Sequence, residues 1–163
     1  MVGTGSSRGS FRRGTFRHLG LHYGYHDAEH RGHNAAVLNM NRQVARRLAV
    51  QPGHRLVDAG CGIGGTSIWM AQQCGADVTG VNISPEQLAR AERLTRKRGL
   101  AQQVRFVQRS YTDTGLPEGQ FDGIYGMESV SYTLDRRDFI REAYRLLKPG
   151  GRLLLAHGFS SDK

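Results

Sequence analysis

Leu56-Val57-Asp58-Ala59-Gly60-Cys61-Gly62-Ile63-Gly64-Gly65 is the stretch that decides the fold. An apolar run, a carboxylate and a glycine-rich turn lead into Thr66-Ser67-Ile68-Trp69-Met70-Ala71, which reads as a helix start. The order is strand, tight loop, helix. The glycines let the backbone approach a ligand where a Cβ would collide, and the helix N-terminus presents unpaired N–H groups.

Taken alone, the loop leaves its ligand open. Gly60 to Gly65 also satisfies the G-x-G-x-x-G pattern of dinucleotide-binding folds, and a glycine-rich turn with no ligand has the same composition. The rest of the chain has to choose. Strand one spans Arg55 to Ala59, and the helix after the loop runs from Gly64 to Cys74, where Gly75 stops it. Ala76 to Val81 is strand two, ending on Asn82-Ile83-Ser84-Pro85-Glu86-Gln87. Pro85 suits a first helical turn, Ser84 its cap, and Gln87 the capping-box position. The helix Pro85 to Arg98 turns Leu88, Ala91 and Leu94 inward. Val104 to Arg109 alternates as strand three, and Phe121 to Met127 forms strand four. Asp135 to Leu147 is a helix ended by Lys148-Pro149-Gly150-Gly151, and strand five runs from Arg152 to His157. Upstream, Asn34 to Val50 carries apolar residues at helical spacing and predicts a helix lying against the sheet. Strands alternating with helices predict an α/β, Rossmann-like doubly wound sheet in the order 3-2-1-4-5.

Three strings carry a resemblance. Val57 to Gly64 fits hydrophobic–acid–x–Gly–x–Gly–x–Gly; Leu116-Pro117-Glu118-Gly119-Gln120-Phe121-Asp122 leads into strand four; Arg145-Leu146-Leu147-Lys148-Pro149-Gly150-Gly151-Arg152-Leu153 leads into strand five. Together they resemble the class I S-adenosylmethionine-dependent methyltransferases, over residues 20–158. A nicotinamide dehydrogenase has no reason to carry the last string. Gly80-Val81-Asn82-Ile83-Ser84-Pro85-Glu86-Gln87 narrows this to a small-molecule group resembling the sterol and tocopherol methyltransferases and the cyclopropane fatty-acid synthases.

The resemblance implies S-adenosylmethionine as cofactor and a set of contacts for it. Gly60, Cys61 and Gly62 approach the methionine part, and Asp58 orders their loop. Asn82, Ile83 and Gln87 contact the adenosyl moiety; an amide stands at Asn82 where most relatives have a carboxylate, and it lacks charge-assisted strength. Ser110 and Tyr111 occupy the adenine position, Ser110 departing from the usual acid there. Met127 ends strand four among the cofactor contacts, and Glu128 after it lies beside the expected cofactor sulfur. Leu21-His22-Tyr23-Gly24-Tyr25 resembles a segment that folds over the cofactor, with Tyr23 offering a ring face to a sulfonium. Glu128, Tyr132 and His157 are the acceptor-side catalytic candidates. Gly126-Met127-Glu128-Ser129 is not the tetrad of base-modifying amino-methyltransferases, which argues against adenine or cytosine amines as acceptor.

Composition and charge set the outer limits. The chain has 163 residues, room for one ordinary domain. Residues 1–17 read as a disordered basic Gly/Ser/Arg arm, 18–50 as an N-terminal covering segment with a helix, and 51–163 as the cofactor-binding core. The net charge is +9, yet outside the arm basic residues alternate with acids, so nucleic acid is disfavoured as a partner. No apolar run is long enough to span a membrane. Two cysteines, one of them in the glycine loop, suggest free thiols in a reducing, cytoplasmic compartment. Five of the seven histidines fall in residues 18–33, but Gly20, Gly24 and Gly32 interrupt any helix that would stack them as ligands, so no metal is expected.

The full methyltransferase sheet has two more strands than this sequence supplies. Strand five is then an apolar edge, which natural proteins avoid. The expectation is a C-terminally truncated chain, or a homo-oligomer or other chain covering that edge. The expected activity is methyl transfer to a small-molecule acceptor, an isoprenoid or lipid carbon or an oxygen or nitrogen of a secondary metabolite. The alternatives are an inactive cofactor-binding domain serving as a partner subunit and, third, an RNA methyltransferase.

Overall fold

The computed structural model describes residue 20 and residues 22–129 and 135–157. The arm expected over residues 1–17 and the candidate Tyr132 lie outside them. The chain runs α1 (His33–Leu48), β1 (Arg55–Ala59), α2 (Gly65–Cys74), β2 (Asp77–Asn82), α3 (Pro85–Lys97), β3 (Val104–Gln108), β4 (Phe121–Met127), α4 (Arg136–Leu146) and β5 (Leu147–Ala156). The five strands form one parallel sheet in the order β3-β2-β1-β4-β5, as the strand–helix alternation predicted.

Side-chain alternation along β1 divides the core between the two faces of the sheet. Val57 and Ala59 join Val81, Phe121, Ile124, Phe139, Ala143 and Leu146 on the α4 side. Leu56 packs with Val44, Leu48, Met70, Ala76, Val78 and Tyr125 on the α1–α2 side. Asp58 shares the parity of Leu56, so its carboxylate is turned toward α2. That single fact of register places an acid under the glycine loop.

Local chemistry sets the helix ends. Gly64 (φ +77°) precedes α2 and Gly75 (φ +66°) follows it, both in the left-handed region. Ser84 caps α3, its Oγ accepting from Gln87 N at 3.3 Å, with Pro85 in the first turn. The Gln87 side chain does not close the capping box. It turns to Asn82 instead.

The expected boundary between the last helix and strand five needs correction. Leu147 already pairs with Phe121, and Lys148 to Gly151 form an irregularity inside β5 before Arg152 meets Gly123. Gly150 (φ +79°) makes the detour possible, and Lys148 Nζ donates to Asp122 Oδ1 at 2.6 Å to pin it. The glycines that end a helix in sequence are here spent on a strand bulge. Among the described residues β5 is the last strand on its side of the sheet, with Leu155 45% exposed.

One polar knot ties α4 to the loop ahead of β4. Glu142 is buried and accepts from Thr114 N at 3.0 Å, from the Thr114 hydroxyl, and from Arg145 at 2.8 and 2.7 Å. The Arg145 guanidinium beside it, chiefly, holds its carboxyl down at about 2. Glu142→Gln should destabilise the fold at neutral pH by about 1.5–3 kcal/mol, the worth of hydrogen bonds to a charged group. Because the folded value lies below the ordinary 4.5, this stability is complete above 4.5 and lost as pH falls toward 2. Denaturant melts of both proteins should therefore converge in acid; a constant gap down to pH 2 would contradict the ion-pair account.

Candidate functional site

A cleft of about 450 Å³ opens at the C-terminal ends of β1, β2 and β4. It lies where the chain order reverses, since β1 is flanked by β2 on one side and β4 on the other. Open α/β sheets bind ligands in this crevice because the loops there diverge to opposite faces. The glycine loop and the start of α2 form its floor; Asn82, Ile83 and Gln87 form one wall; Tyr111, Met127, Glu128 and Ser129 form the other.

The floor is made by a close approach. Gly60 has φ +82°, and a Cβ there would stand 2.3 Å from Ser129 Cβ. Ser129 in turn donates from Oγ to the Ala59 carbonyl. Gly60 N and Cys61 N both donate to Val81 O, at 2.9 and 3.1 Å. Two of the loop's N–H groups are thus committed to β2 and withdrawn from any ligand.

Beneath the loop, Asp58 is buried and accepts from Ser67 Oγ at 2.6 Å. Burial pushes its carboxyl up to about 6, against the Ser67 hydrogen bond. The Tyr125 hydroxyl lies beside the carboxylate but outside hydrogen-bond geometry, so Ser67 supplies the opposition. Burial and the neighbouring Asp58 also push the Cys61 thiol far above its ordinary range, which keeps it protonated and unreactive. A raised acid has a definite consequence for stability. Below pH 3.8 both the folded and unfolded states hold the proton. Between 3.8 and about 6 the unfolded chain releases it first, so stability falls as pH rises, by about 3 kcal/mol in all. Asp58→Asn should remove this fall while still accepting from Ser67. Equal slopes for the two proteins in urea melts between pH 4 and 7 would refute it.

On the first wall, Asn82 is saturated by the protein. Its Nδ2 donates to Gln87 Oε1 at 2.7 Å and to Gly62 O at 3.3 Å, and its Oδ1 accepts from Ile83 N at 2.8 Å and Ser84 N at 3.4 Å. The pairing engages Gln87 Oε1, and Gln87 itself lines the cleft. Ile83 stands 69% exposed at the rim, an apolar surface suited to cover by a flat ring.

On the opposite wall Glu128 takes φ +56°, a left-handed conformation rare outside glycine. Its N–H donates to Ala156 O at 3.0 Å, and its Oε2 faces His157 Nδ1 at 3.1 Å. The ends of β4 and β5 thus bring a carboxylate and an imidazole, 29 residues apart in sequence, into one hydrogen-bonded couple at the cleft mouth. Tyr111 closes this side, its Oη donating to Ser129 O at 3.0 Å and its ring edge-on to Phe139.

Residues 57–155 match the family described as "Methyltransferase domain". The chain belongs to this methyltransferase family. Methyltransferase phqN of Penicillium fellutanum is 38% identical over 128 residues, covering 78% of this chain and 39% of the relative. Tocopherol O-methyltransferase of Arabidopsis thaliana is 31% identical over 147 residues, covering 83% and 42%. Among solved structures, geranyl diphosphate C-methyltransferase of Streptomyces coelicolor A3(2), in complex with geranyl diphosphate and S-adenosyl-L-homocysteine, superposes with a TM-score of 0.79 at 26% identity, covering 90% of this chain and 60% of that one. The chain therefore spans less than half the length of these two curated relatives. The tocopherol methyltransferase resemblance read from residues 80–87 is upheld, and the family's solved relatives hold the demethylated form of the expected cofactor.

Within this methyltransferase domain, the structure gathers Asp58, Gly60, Cys61, Gly62, Asn82, Ile83, Gln87, Tyr111, Met127 and Glu128 around one cleft. His157 reaches it through Glu128. Two expected contacts do not assemble. Ser110 Oγ is engaged with Thr112 Oγ1 at 2.7 Å, in a tight turn outside the lining. Tyr23 is 69% exposed and is not part of the lining. The reason is the alternation of an extended chain: His22 and Gly24 face inward, Tyr23 and Tyr25 outward. Gly24 fixes that phase, since a Cβ there would lie 2.5 Å from Ala36 Cβ. Consequently His22, not Tyr23, lines the cleft. Gly65, Thr66 and Ser129 also line it without having been singled out. Period-two reading of residues 22–25 from the inward glycine was the available signal for His22.

Proposed function

We propose that the chain binds S-adenosylmethionine in this cleft and transfers its methyl group to a small-molecule acceptor presented at the Glu128–His157 side. The observation that supports this reading best is the division of the cleft. Glycine loop and amide pair sit on one side, a hydrogen-bonded acid–imidazole couple on the other.

The residues fit the cofactor on their own chemistry. The cleft has the volume of a small-ligand site, about 300–1,000 Å³. Gln87 offers an amide to ribose hydroxyls, and Ile83 offers an apolar cover for a base. A dinucleotide fits less well, because its pyrophosphate needs loop N–H donors, and Gly60 and Cys61 have committed theirs to Val81. When bound, the cofactor supplies an electrophilic methyl on a sulfonium. The chain's part is to hold the acceptor in line with that methyl, exclude water, and take up a proton where the acceptor must lose one. Glu128 is placed for that last task, and His157 orients and shares its charge. An isoprenoid or lipid acceptor, methylated at carbon or at oxygen, is the reading favoured by the geranyl diphosphate C-methyltransferase and tocopherol O-methyltransferase relatives.

The test is calorimetric binding of S-adenosylmethionine and S-adenosylhomocysteine against NADH, followed by turnover with isoprenoid and phenolic acceptors. Binding of the first two with none of NADH, then methylation, supports the proposal. Binding without turnover on any acceptor favours a cofactor-binding partner subunit. Salt-sensitive RNA binding that survives removal of residues 1–17 favours an RNA acceptor.

A further inference from the structure

Asn39 is a polar residue on α1 that is 3% exposed and is not part of the cleft lining. Its Nδ2 donates to Tyr25 O at 3.0 Å and to Asp27 Oδ2 at 2.8 Å. A primary amide nitrogen carries two hydrogens, so both are spent on the extended segment before the helix. A buried amide costs stability unless it is satisfied in this way. Residue 25 is bonded a second time, its N–H donating to Ala36 O at 2.9 Å. Its backbone is therefore joined to α1 on both sides of the Cα.

Asp27 is itself fixed. Its Oδ1 accepts from Glu29 N at 3.0 Å, His30 N at 2.8 Å and His30 Nδ1 at 2.7 Å, which leaves Oδ2 for Asn39. The His30 bond, chiefly, holds its carboxyl down at about 2, so at neutral pH it only accepts. These contacts bear on the cleft through His22, which lines it three residues before Tyr25. An extended chain alternates sides, so a slip of one residue along α1 would present Tyr23 there instead. Gly24 against Ala36 excludes a side chain at the point of contact. The Asn39 bonds add the direction that holds the segment in this register.

We propose that Asn39 is a positioning residue for the site: by bonding Tyr25 O and Asp27 it holds His22 in the cleft wall and so sets how tightly the cleft retains its cofactor. This rests on the S-adenosylmethionine reading. Asn39 reaches no ligand itself and acts through His22. The physical basis is preorganisation. A wall residue that must be ordered at each binding event costs affinity, and one already held in place does not. Without the Asn39 bonds the segment keeps only the Tyr25 N–H and the Gly24 contact to α1, and the His22 wall is paid for on binding.

The experiment is calorimetric binding of S-adenosylhomocysteine to the full chain and its variants, each checked for folding by circular dichroism. Asn39→Asp keeps the size but turns an acceptor toward Tyr25 O and the Asp27 carboxylate. It should weaken binding about tenfold, the worth of a hydrogen bond to a charged group. Adding Asp27→Asn places a donor opposite the new carboxylate and should recover affinity to within about threefold of wild type, the Tyr25 bond staying lost. His22→Ala should also weaken binding about tenfold, and Asn39→Asp in that background should add nothing, because both act through one wall residue. A residue that only supports the fold would give additive losses. Should Asn39→Asp fail to fold, Asp27→Ala at an exposed position carries the same comparison with His22→Ala, with an expected loss of about threefold. Unchanged affinity in the folded Asn39 or His22 variants, additive losses in the doubles, or no recovery with Asp27→Asn overturns the proposal and leaves the cofactor reading intact. Failure of the wild type to bind overturns both.

Discussion

Glu128→Gln should lower methyl-transfer turnover by about a hundredfold or more, with a much smaller effect on S-adenosylhomocysteine affinity. The expectation follows from position. Glu128 follows β4 at the cleft, its carboxylate joined to His157 Nδ1 at 3.1 Å, and proton transfer by a positioned side chain contributes about 10²–10⁴ in rate. Glutamine keeps the size and the backbone preference but cannot accept a proton at the acceptor. The φ of +56° adds a second handle. Holding a non-glycine residue there costs on the order of 1–3 kcal/mol, a strain typical of functional positions. Glu128→Gly should therefore relieve backbone strain and still lose turnover. If Glu128→Gln retained full turnover with an established acceptor, the catalytic assignment would fall, and Glu128 would be a structural residue joining β4 to β5.

Gly60→Ala is expected to damage both fold and site. The added Cβ would stand 2.3 Å from Ser129 Cβ and 2.8 Å from its Oγ, in a backbone at φ +82°. The left-handed conformation costs on the order of 1–3 kcal/mol and the overpacking a similar amount, so a loss of about 2–5 kcal/mol is expected in chemical denaturation. The two contributions are separable. Gly60→Ala combined with Ser129→Gly removes the clash and retains the strain, so it should recover part of the stability. S-adenosylhomocysteine binding should be lost in the single variant, because displacing Ser129 moves the wall that carries Glu128. Wild-type stability for Gly60→Ala would mean that Ser129 does not seat against the loop.

Much of this molecule is legible residue by residue. The alternation of apolar runs with helical spacing gives five strands and their order. Val57 to Gly64, being contiguous, places strand, loop and helix before any contact is known. Gln87 follows Asn82 by five residues across one turn, so their pairing is close to a local event. The errors are equally instructive. Lys148 to Gly151 has the composition of a helix stop, but pairing of Leu147 with Phe121 and the Lys148–Asp122 ion pair draw it into β5 as a bulge. Tyr23 was the attractive aromatic, yet the phase of its segment is set by Gly24 against Ala36, a contact between two elements.

By itself the sequence determined the strand order, the family, and the side of the sheet on which ligands bind, because these depend on local periodicity and a contiguous motif. Tertiary structure alone decided that Glu128 meets His157 and that Asp58 is buried enough to hold its proton near pH 6. It also decided that His22 faces the cleft in place of Tyr23. Each of these joins elements far apart in the chain, and their distance, burial and facing are fixed only when separate layers pack.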